Sequence, residues 1–348
     1  MTIQPPPALD LPGMTACLSR SGTPARVFSF EHSVADSMKA ALLKRFALGA
    51  PAPASDVERT GRNEIALQRF LGQELLRLRL TGGRVVHAMP RRGGQWENEH
   101  AGCIQSMADV DRFPWPTVEG VDFRQLDWFE RHLPDNLGVI CTVHVWEDIR
   151  ALFGYETFCY KLYEEPELVE AVARKVGAFN LALARALGSY TRVYAVYGAD
   201  DFGYKAGLMV PPADLRRLVL CWHRAIAEQA HADGKLYLLH ACGNLAEIMD
   251  ELIDEVKIDA KHSFEDVIMP VTEAKRLYGR RVSLLGGLDV DLVARAGEAA
   301  IRRKVREVLE ACQPGGGYCL GLGNWVTDYI PIDSYLAVLD EGRRFAGG

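Results

Sequence analysis

The sequence lacks several features that would each assign it a class. No run of about 18 apolar residues occurs, so no membrane-spanning helix is expected. Basic residues are not in excess: 40 Lys and Arg stand against 46 Asp and Glu, a net charge of −6, which argues against a nucleic-acid partner. A neutral or anionic small substrate held by local groups stays open. The stretch Met1-Thr2-Ile3-Gln4-Pro5-Pro6-Pro7 has none of the basic-then-apolar order of a signal peptide, and a cytoplasmic location is expected. Eight cysteines, at 17, 103, 141, 159, 221, 242, 312 and 319, form no disulfide framework and read as thiols in a reducing compartment. No dinucleotide fingerprint follows a strand pattern, since Gly321-Leu322-Gly323 runs into Asn324-Trp325-Val326 rather than the needed glycine. A nicotinamide or flavin cofactor is therefore not expected.

What is present is a long alternation of strand and helix patterns. With 348 residues, 48% of them hydrophobic, the chain can bury a large core. Residues 1–25 are rich in Pro, Ser, Gly and Thr and read as an arm; Ser33–Leu48 and Glu64–Leu80 carry apolar residues at helical spacing. Residues 1–80 are accordingly read as an N-terminal arm and helices packed on a barrel, with residues 81–348 forming the catalytic barrel. Strands are expected at 84–89, 138–145, 193–197, 235–240, 256–260, 282–285 and 318–322. Helices are expected at 147–163, 167–187, 211–231, 245–253, 270–277, 298–311 and 332–344. Continuously apolar strands between amphipathic helices indicate a parallel sheet covered on both faces. Nearly every strand ends in polar or Gly residues, and a (β/α)8 TIM barrel with an N-terminal helical extension gathers such ends at one mouth.

The stretch Leu238-Leu239-His240-Ala241-Cys242-Gly243-Asn244 closes a strand pattern, and His240 and Cys242, two apart, share one face of an extended segment. Cys319 stands at a comparable place after Gly315-Gly316-Gly317. A His and two Cys on strand ends suit Zn²⁺ with one position left open, the alternative being a core histidine and inert buried thiols. Gly243 and the glycine run before Cys319 would let backbone approach a ligand closely. Asp200 and Asp201 follow a strand, so one of them is expected at the mouth as proton carrier or substrate anchor, the alternative being a helix cap. His262 is a candidate general acid oriented by Glu265, or part of a polar loop; Asp289 could hold a ligand from behind. Trp96, Trp115, Trp146 and Tyr155 could wall an aromatic substrate or belong to the core.

Taken in order, Gly198-Ala199-Asp200-Asp201-Phe202-Gly203, His240-Ala241-Cys242-Gly243-Asn244, Ile258 to Asp266, Gly286-Gly287-Leu288-Asp289 and Gly315 to Cys319 resemble the uroporphyrinogen decarboxylase superfamily, specifically its zinc-dependent corrinoid methyltransferase branch. The resemblance runs from about residue 110 to the end. It implies a (β/α)8 barrel and zinc on His240, Cys242 and Cys319, beside which Asp200, Asp201, His262 and Asp289 stand as the candidate catalytic residues read above. It also implies methyl transfer between a corrinoid (cobalamin) protein and a small thiol, methoxy or methylamine-type compound; a monomer or homodimer is expected. The stretch Met89 to Trp96 does not reproduce the arginine-rich R-Q-A-G-R-Y loop of the porphyrin decarboxylase itself, and that enzyme has no use for thiolates at the mouth. Two further alternatives are a zinc-thiolate transferase acting on an epoxide and a non-catalytic barrel that binds a tetrapyrrole or corrinoid. No D-x-H-x-x-G corrinoid module occurs, so cobalamin would arrive on a partner or free.

Overall fold

The computed structural model describes residues 3–89, 99–100 and 102–345. Eight parallel strands form one curled sheet: β1 (Phe28–Ser29), β2 (Leu75–Leu78), β3 (Gly138–Val143), β4 (Val193–Ala199), β5 (Leu236–His240), β6 (Ala260–His262), β7 (Ser283–Leu285) and β8 (Tyr318–Leu320). Their order is β1-β8-β7-β6-β5-β4-β3-β2, with helices outside, which is the architecture of a (β/α)8 barrel. The period-two pattern of each strand divides two cores. In β3, Ile140 points inside the barrel while Val139, Cys141 and Val143 pack under the outer helices; in β5, Leu238 points in while Tyr237 and Leu239 point out. Both faces are apolar, so the strands read as continuous hydrophobic runs. No helix among the described residues is long and apolar enough to cross a membrane.

The base of the barrel is closed by α1 (Leu11–Leu18), whose N-cap Asp10 accepts from the Gly13 amide at 2.9 Å. Leu11, Met14, Cys17 and Leu18 of α1 are buried among the lowest inward residues of the strands. At roughly 1.5–3 kcal/mol for each buried apolar side chain, this contact holds the arm firmly as a plug.

Three expectations about the first 90 residues are corrected. The barrel does not begin at residue 81, because β1 and β2 both precede it. The helix expected over 64–80 is instead α3 (Val57–Leu71), stopped by Gly72 in the left-handed region (φ 75), and followed by β2. The residues Leu75-Leu76-Arg77-Leu78-Arg79-Leu80 alternate, and that period favours strand once the helix has ended. The segment expected as a strand at 84–89 is a 3₁₀ turn over Val85–Ala88. Farther on, the single helix expected over 147–163 is divided at Gly154 (φ 77) into Trp146–Phe153 and Tyr155–Glu164.

β1 and β2 end the strand order and are not joined by a ladder. Side chains span the gap instead: Arg26 with Glu74, Arg77 Nη1 to the His32 carbonyl at 2.8 Å, and Arg79 Nη2 to Ser33 Oγ at 3.2 Å. Behind this opening lies α2 (Asp36–Arg45), packed with α3.

Candidate metal centre at the barrel mouth

Above the apolar layers, the next inward positions are polar. Phe28, Phe30 and His32 alternate along β1 and its continuation, as do Leu75 and Arg77 on β2, Leu238 and His240 on β5, and Ala260 and His262 on β6. Three imidazoles thereby meet on the axis. The rings of His32 and His240 stack with centroids 3.7 Å apart, and those of His240 and His262 lie 5.0 Å apart.

Hydrogen-bond partners fix where the protons sit in this group. Burial pushes all three imidazoles below their ordinary value, so each is neutral near pH 7 and carries one ring proton. The Leu322 carbonyl can only accept, so His262 Nε2, 3.2 Å away, holds the proton of that ring. His262 Nδ1 is then a lone pair, and His240 Nδ1 donates to it across 2.8 Å. His240 Nε2 is left bare, 3.4 Å from Cys242 Sγ and 3.4 Å from Asp201 Oδ1. His32 is saturated differently: Arg77 donates to its Nε2 at 3.0 Å, and its Nδ1 donates to Tyr197 Oη at 2.9 Å.

Asp201, His240 and Cys242 each offer one ligand atom, all within 4.8 Å of one another. Two donors held about 2.0–2.3 Å from a common ion at tetrahedral angles stand roughly 3.3–3.8 Å apart, which matches both 3.4 Å separations. A bare imidazole nitrogen facing a carboxylate at this distance calls for a cation between them. Burial alone would raise the Asp201 carboxyl, and the neighbouring Cys242 opposes that and favours the carboxylate. Its Oδ1 also accepts from the Cys242 amide at 2.8 Å. Burial first, and the Asp201 charge second, push the Cys242 thiol up. A divalent ion would reverse that balance and take the sulfur as thiolate. Ser263 Oγ and Asn324 Nδ2, each 3.4 Å from Cys242 Sγ, can donate to it. The residues therefore fit zinc with a nitrogen, sulfur and oxygen donor set. The three-histidine group fits less well, since both ring nitrogens of His32 and of His262 are already engaged.

Cys319 is not brought to this centre. Its Sγ lies 3.7 Å from Met14 Sδ on the basal plug and interacts with Cys17. The reason is strand tilt. The register places Cys319 opposite Leu285, Leu285 opposite His262, and His262 opposite His240. With strands about 4.8 Å apart and tilted about 36°, three steps across the sheet descend roughly 8 Å along the axis. Cys319 accordingly faces inward one layer too low. Gly315, Gly316 and Gly317 also lie at the base, where an added Cβ on Gly316 or Gly317 would meet the 20–24 segment rather than a ligand. Gly243 is required for a different approach: its φ is +89, and a Cβ there would lie 2.1 Å from the Gly203 carbonyl carbon, so the close contact is with the backbone of a neighbouring loop.

The remaining expected residues divide between support and core. Asp200 is fully buried, accepts from the Val145 and Glu147 amides at 2.8 Å each and sits 2.9 Å from His223 Nε2, so it anchors the helix Trp146–Phe153 rather than facing the mouth. Asp289 caps the helix Val290–Arg295 by accepting from the Leu292 amide at 2.9 Å. Trp146 is core, Trp115 packs on Phe113, and Tyr155 donates to the Met209 carbonyl. Trp96 lies outside the described residues. His32, Arg77, Tyr197, Asn324 and Trp325 complete the mouth and were not anticipated as site residues; the alternation Phe28, Phe30, His32 and Leu75, Arg77, Arg79 is the signal that could have found the first two.

No curated protein matches the chain. Among solved structures, a methyltransferase from Methanosarcina mazei shares the fold, with a TM-score of 0.75 over 96% of this chain and 98% of that one at 16% identity. The model of the uroporphyrinogen decarboxylase (URO-D) family matches residues 150–345, more than half of the sequence, including β4 to β8 with Asp201, His240 and Cys242, and the chain belongs to that family.

Proposed function

We propose that the protein is a zinc-dependent methyltransferase that moves a methyl group between a corrinoid, carried by a partner protein, and a small thiol, methoxy or methylamine-type compound. The observation that carries this reading is the convergence of Asp201 Oδ1, His240 Nε2 and Cys242 Sγ on one point at the barrel mouth. The fold shared with the Methanosarcina mazei methyltransferase supports it further. Asp201, His240 and Cys242 would hold the ion. Bound there, the ion would supply Lewis acidity that keeps a thiol deprotonated near neutral pH, or stabilises the atom a methyl group leaves.

The chain's own residues do the rest. The His262 to His240 hydrogen bond holds the His240 ring in the tautomer that presents Nε2, as the partner behind a metal-bound histidine commonly does. Asp201 is fixed by the Cys242 amide, so carboxylate and thiolate are set on one short loop pair. Ser263 and Asn324 temper the sulfur's charge by donating to it. The apolar layers below exclude water from beneath the site, and the plug α1 closes the far end, leaving the mouth as the entry for both reactants.

The test is methyl transfer from free methylcobalamin to a panel of thiols, followed by the absorbance change of the corrinoid on zinc-loaded protein. Transfer that disappears in Cys242→Ala is expected. Protein carrying one zinc per chain that demethylates the corrinoid with no member of the panel, and forms no methylated corrinoid from methoxy or methylamine donors, would overturn the reading.

A further inference from the structure

The opening between β1 and β2 carries positive charge that no ion pair among the described residues offsets. Arg77 reaches it from β2 and Arg79 from the residue just beyond. Neither has a carboxylate within ion-pair distance among the described residues, whereas most arginines of this chain do. Arg77 spends Nη1 on the carbonyl and ring of His32, and among the described residues its buried Nε has no partner and its Nη2 no hydrogen bond. Arg79 gives Nη2 to Ser33 and lies with its guanidinium 4.8 Å over the Trp325 ring. The acids nearby do not offset them. Glu64 is paired with Lys39 at 2.6 Å, and Asp36 acts on Arg79 through space without an ion pair. Glu31 is buried, and burial raises its carboxyl to about 8, which keeps it protonated at neutral pH.

Both arginines line a cavity of about 290 Å³ walled by α2, α3 and Trp325. A half-buried guanidinium without a counter-ion is costly, and its planar fork matches a carboxylate in two parallel hydrogen bonds. The cavity also has a fixed relation to the candidate metal centre. Arg77 holds His32, and His32 stacks directly on His240. Trp325 lines this cavity and a neighbouring one of about 580 Å³ that includes Asn324, whose amide touches Cys242 Sγ.

We propose that this opening is a binding subsite for the carboxylate of a small organic anion, received by the free edges of Arg77 and Arg79 beneath Trp325. The bound molecule would extend past His32 toward Cys242. That it is the methyl donor or acceptor rests on the methyl-transfer reading; the anion site itself does not.

Ligand-detected NMR titration of metal-free protein with methoxyacetate and with methoxyacetamide, its uncharged counterpart, tests the site. Methoxyacetate should bind the more tightly. Charge-assisted hydrogen bonds of this kind predict a loss of roughly 10- to 100-fold in Arg79→Gln, and Arg77→Lys, which keeps the charge but not the fork, should weaken binding as well. Arg79 is exposed, so its replacement leaves the fold intact and keeps the test valid if the Arg77 variant misfolds. Equal affinity for the two probes, no binding of methoxyacetate, or unchanged binding in Arg79→Gln would overturn the proposal. Anion binding without any methyl transfer would uphold the subsite and remove the methyl-transfer reading. Transfer indifferent to the charge of the small molecule, with no anion preference in the titration, would do the reverse.

Discussion

Replacing Asp201 and Cys319 in turn separates the metal centre assembled in the barrel mouth from the one the sequence implies. Apparent binding energies of zinc in four-ligand protein sites run to about 10–16 kcal/mol, or roughly 3–4 kcal/mol for each ligand, so removing one true ligand weakens affinity about 10²- to 10³-fold. Asp201→Asn keeps the shape of the side chain but loses the charge that faces His240 Nε2 at 3.4 Å. It should lower zinc affinity by that factor with little change in melting temperature, because the Asp201 side chain is 42% exposed. Cys319→Ala should do the opposite. Its sulfur is fully buried against Met14 and Cys17, so truncation leaves a small void costing about 1 kcal/mol of stability while zinc affinity stays put. The assay is competition for zinc with a chromophoric chelator at fixed pH, alongside thermal melts of the metal-free proteins. Loss of zinc in Cys319→Ala with full retention in Asp201→Asn would refute the placement of the centre at Asp201, His240 and Cys242.

Three other outcomes follow from single groups. Burial raises the Glu31 carboxyl from 4.5 to about 8, so the folded chain holds a proton there that the unfolded chain has lost; stability contributed by that proton is complete below about pH 4.5 and falls as pH rises toward 8. Glu31→Gln should therefore match wild type near pH 5 and exceed it by a few kcal/mol in urea melts at pH 8.5. Gly243→Ala should cost more than about 3 kcal/mol and disrupt zinc binding, since φ is +89 and the new Cβ would lie 2.1 Å from the Gly203 backbone; a melt within two or three degrees of wild type would count against this geometry. Lys261 donates to the carbonyls of Ala241, His262 and Ser263, and Lys261→Met should destabilise the chain by about 2–4 kcal/mol by orphaning them, read by denaturant unfolding.

The barrel was legible because its cause is a simple period. Strands buried on both faces are apolar throughout, and β3, β4 and β5 stand out in the sequence for that reason. The first two strands were not, and each for its own reason. β1 spans two residues, too few for a periodic signal, and takes its place through pairing with β8, a contact some 290 residues away in sequence. β2 follows α3 so closely that its leucines continue the helical spacing, and only the left-handed turn at Gly72 marks the change. With those strands hidden, so were His32, Arg77 and Arg79, which are the residues that join the metal centre to the open side of the barrel.

The site itself divides along the same line between local and global cause. His240 and Cys242 are two apart on one strand end, a relation that the chain's local geometry guarantees, and the structure keeps them 3.4 Å apart. Asp201 reaches them because β4 and β5 are neighbours in register, with Ala199 opposite His240. Cys319 lies three steps across the sheet from them, and over three steps the tilt of the barrel converts an apparently level position into one about 8 Å lower. No property of residue 319 or its neighbours reveals that descent, because it belongs to the closed sheet as a whole. Asn324, five residues on, has climbed back to the level of Cys242 and touches its sulfur at 3.4 Å. A side chain from the segment that follows β8 therefore does serve the mouth, as an amide that can donate to the sulfur, and an Asn324→Cys variant would present a thiol at the very height where Cys319 fails to. If the layer argument holds, that variant should bind zinc more tightly than wild type while Cys319→Ala in the same background leaves the gain untouched. Equal affinity of Asn324→Cys and wild type in the chelator competition would show that height on the strand is not what decides which thiol reaches the ion.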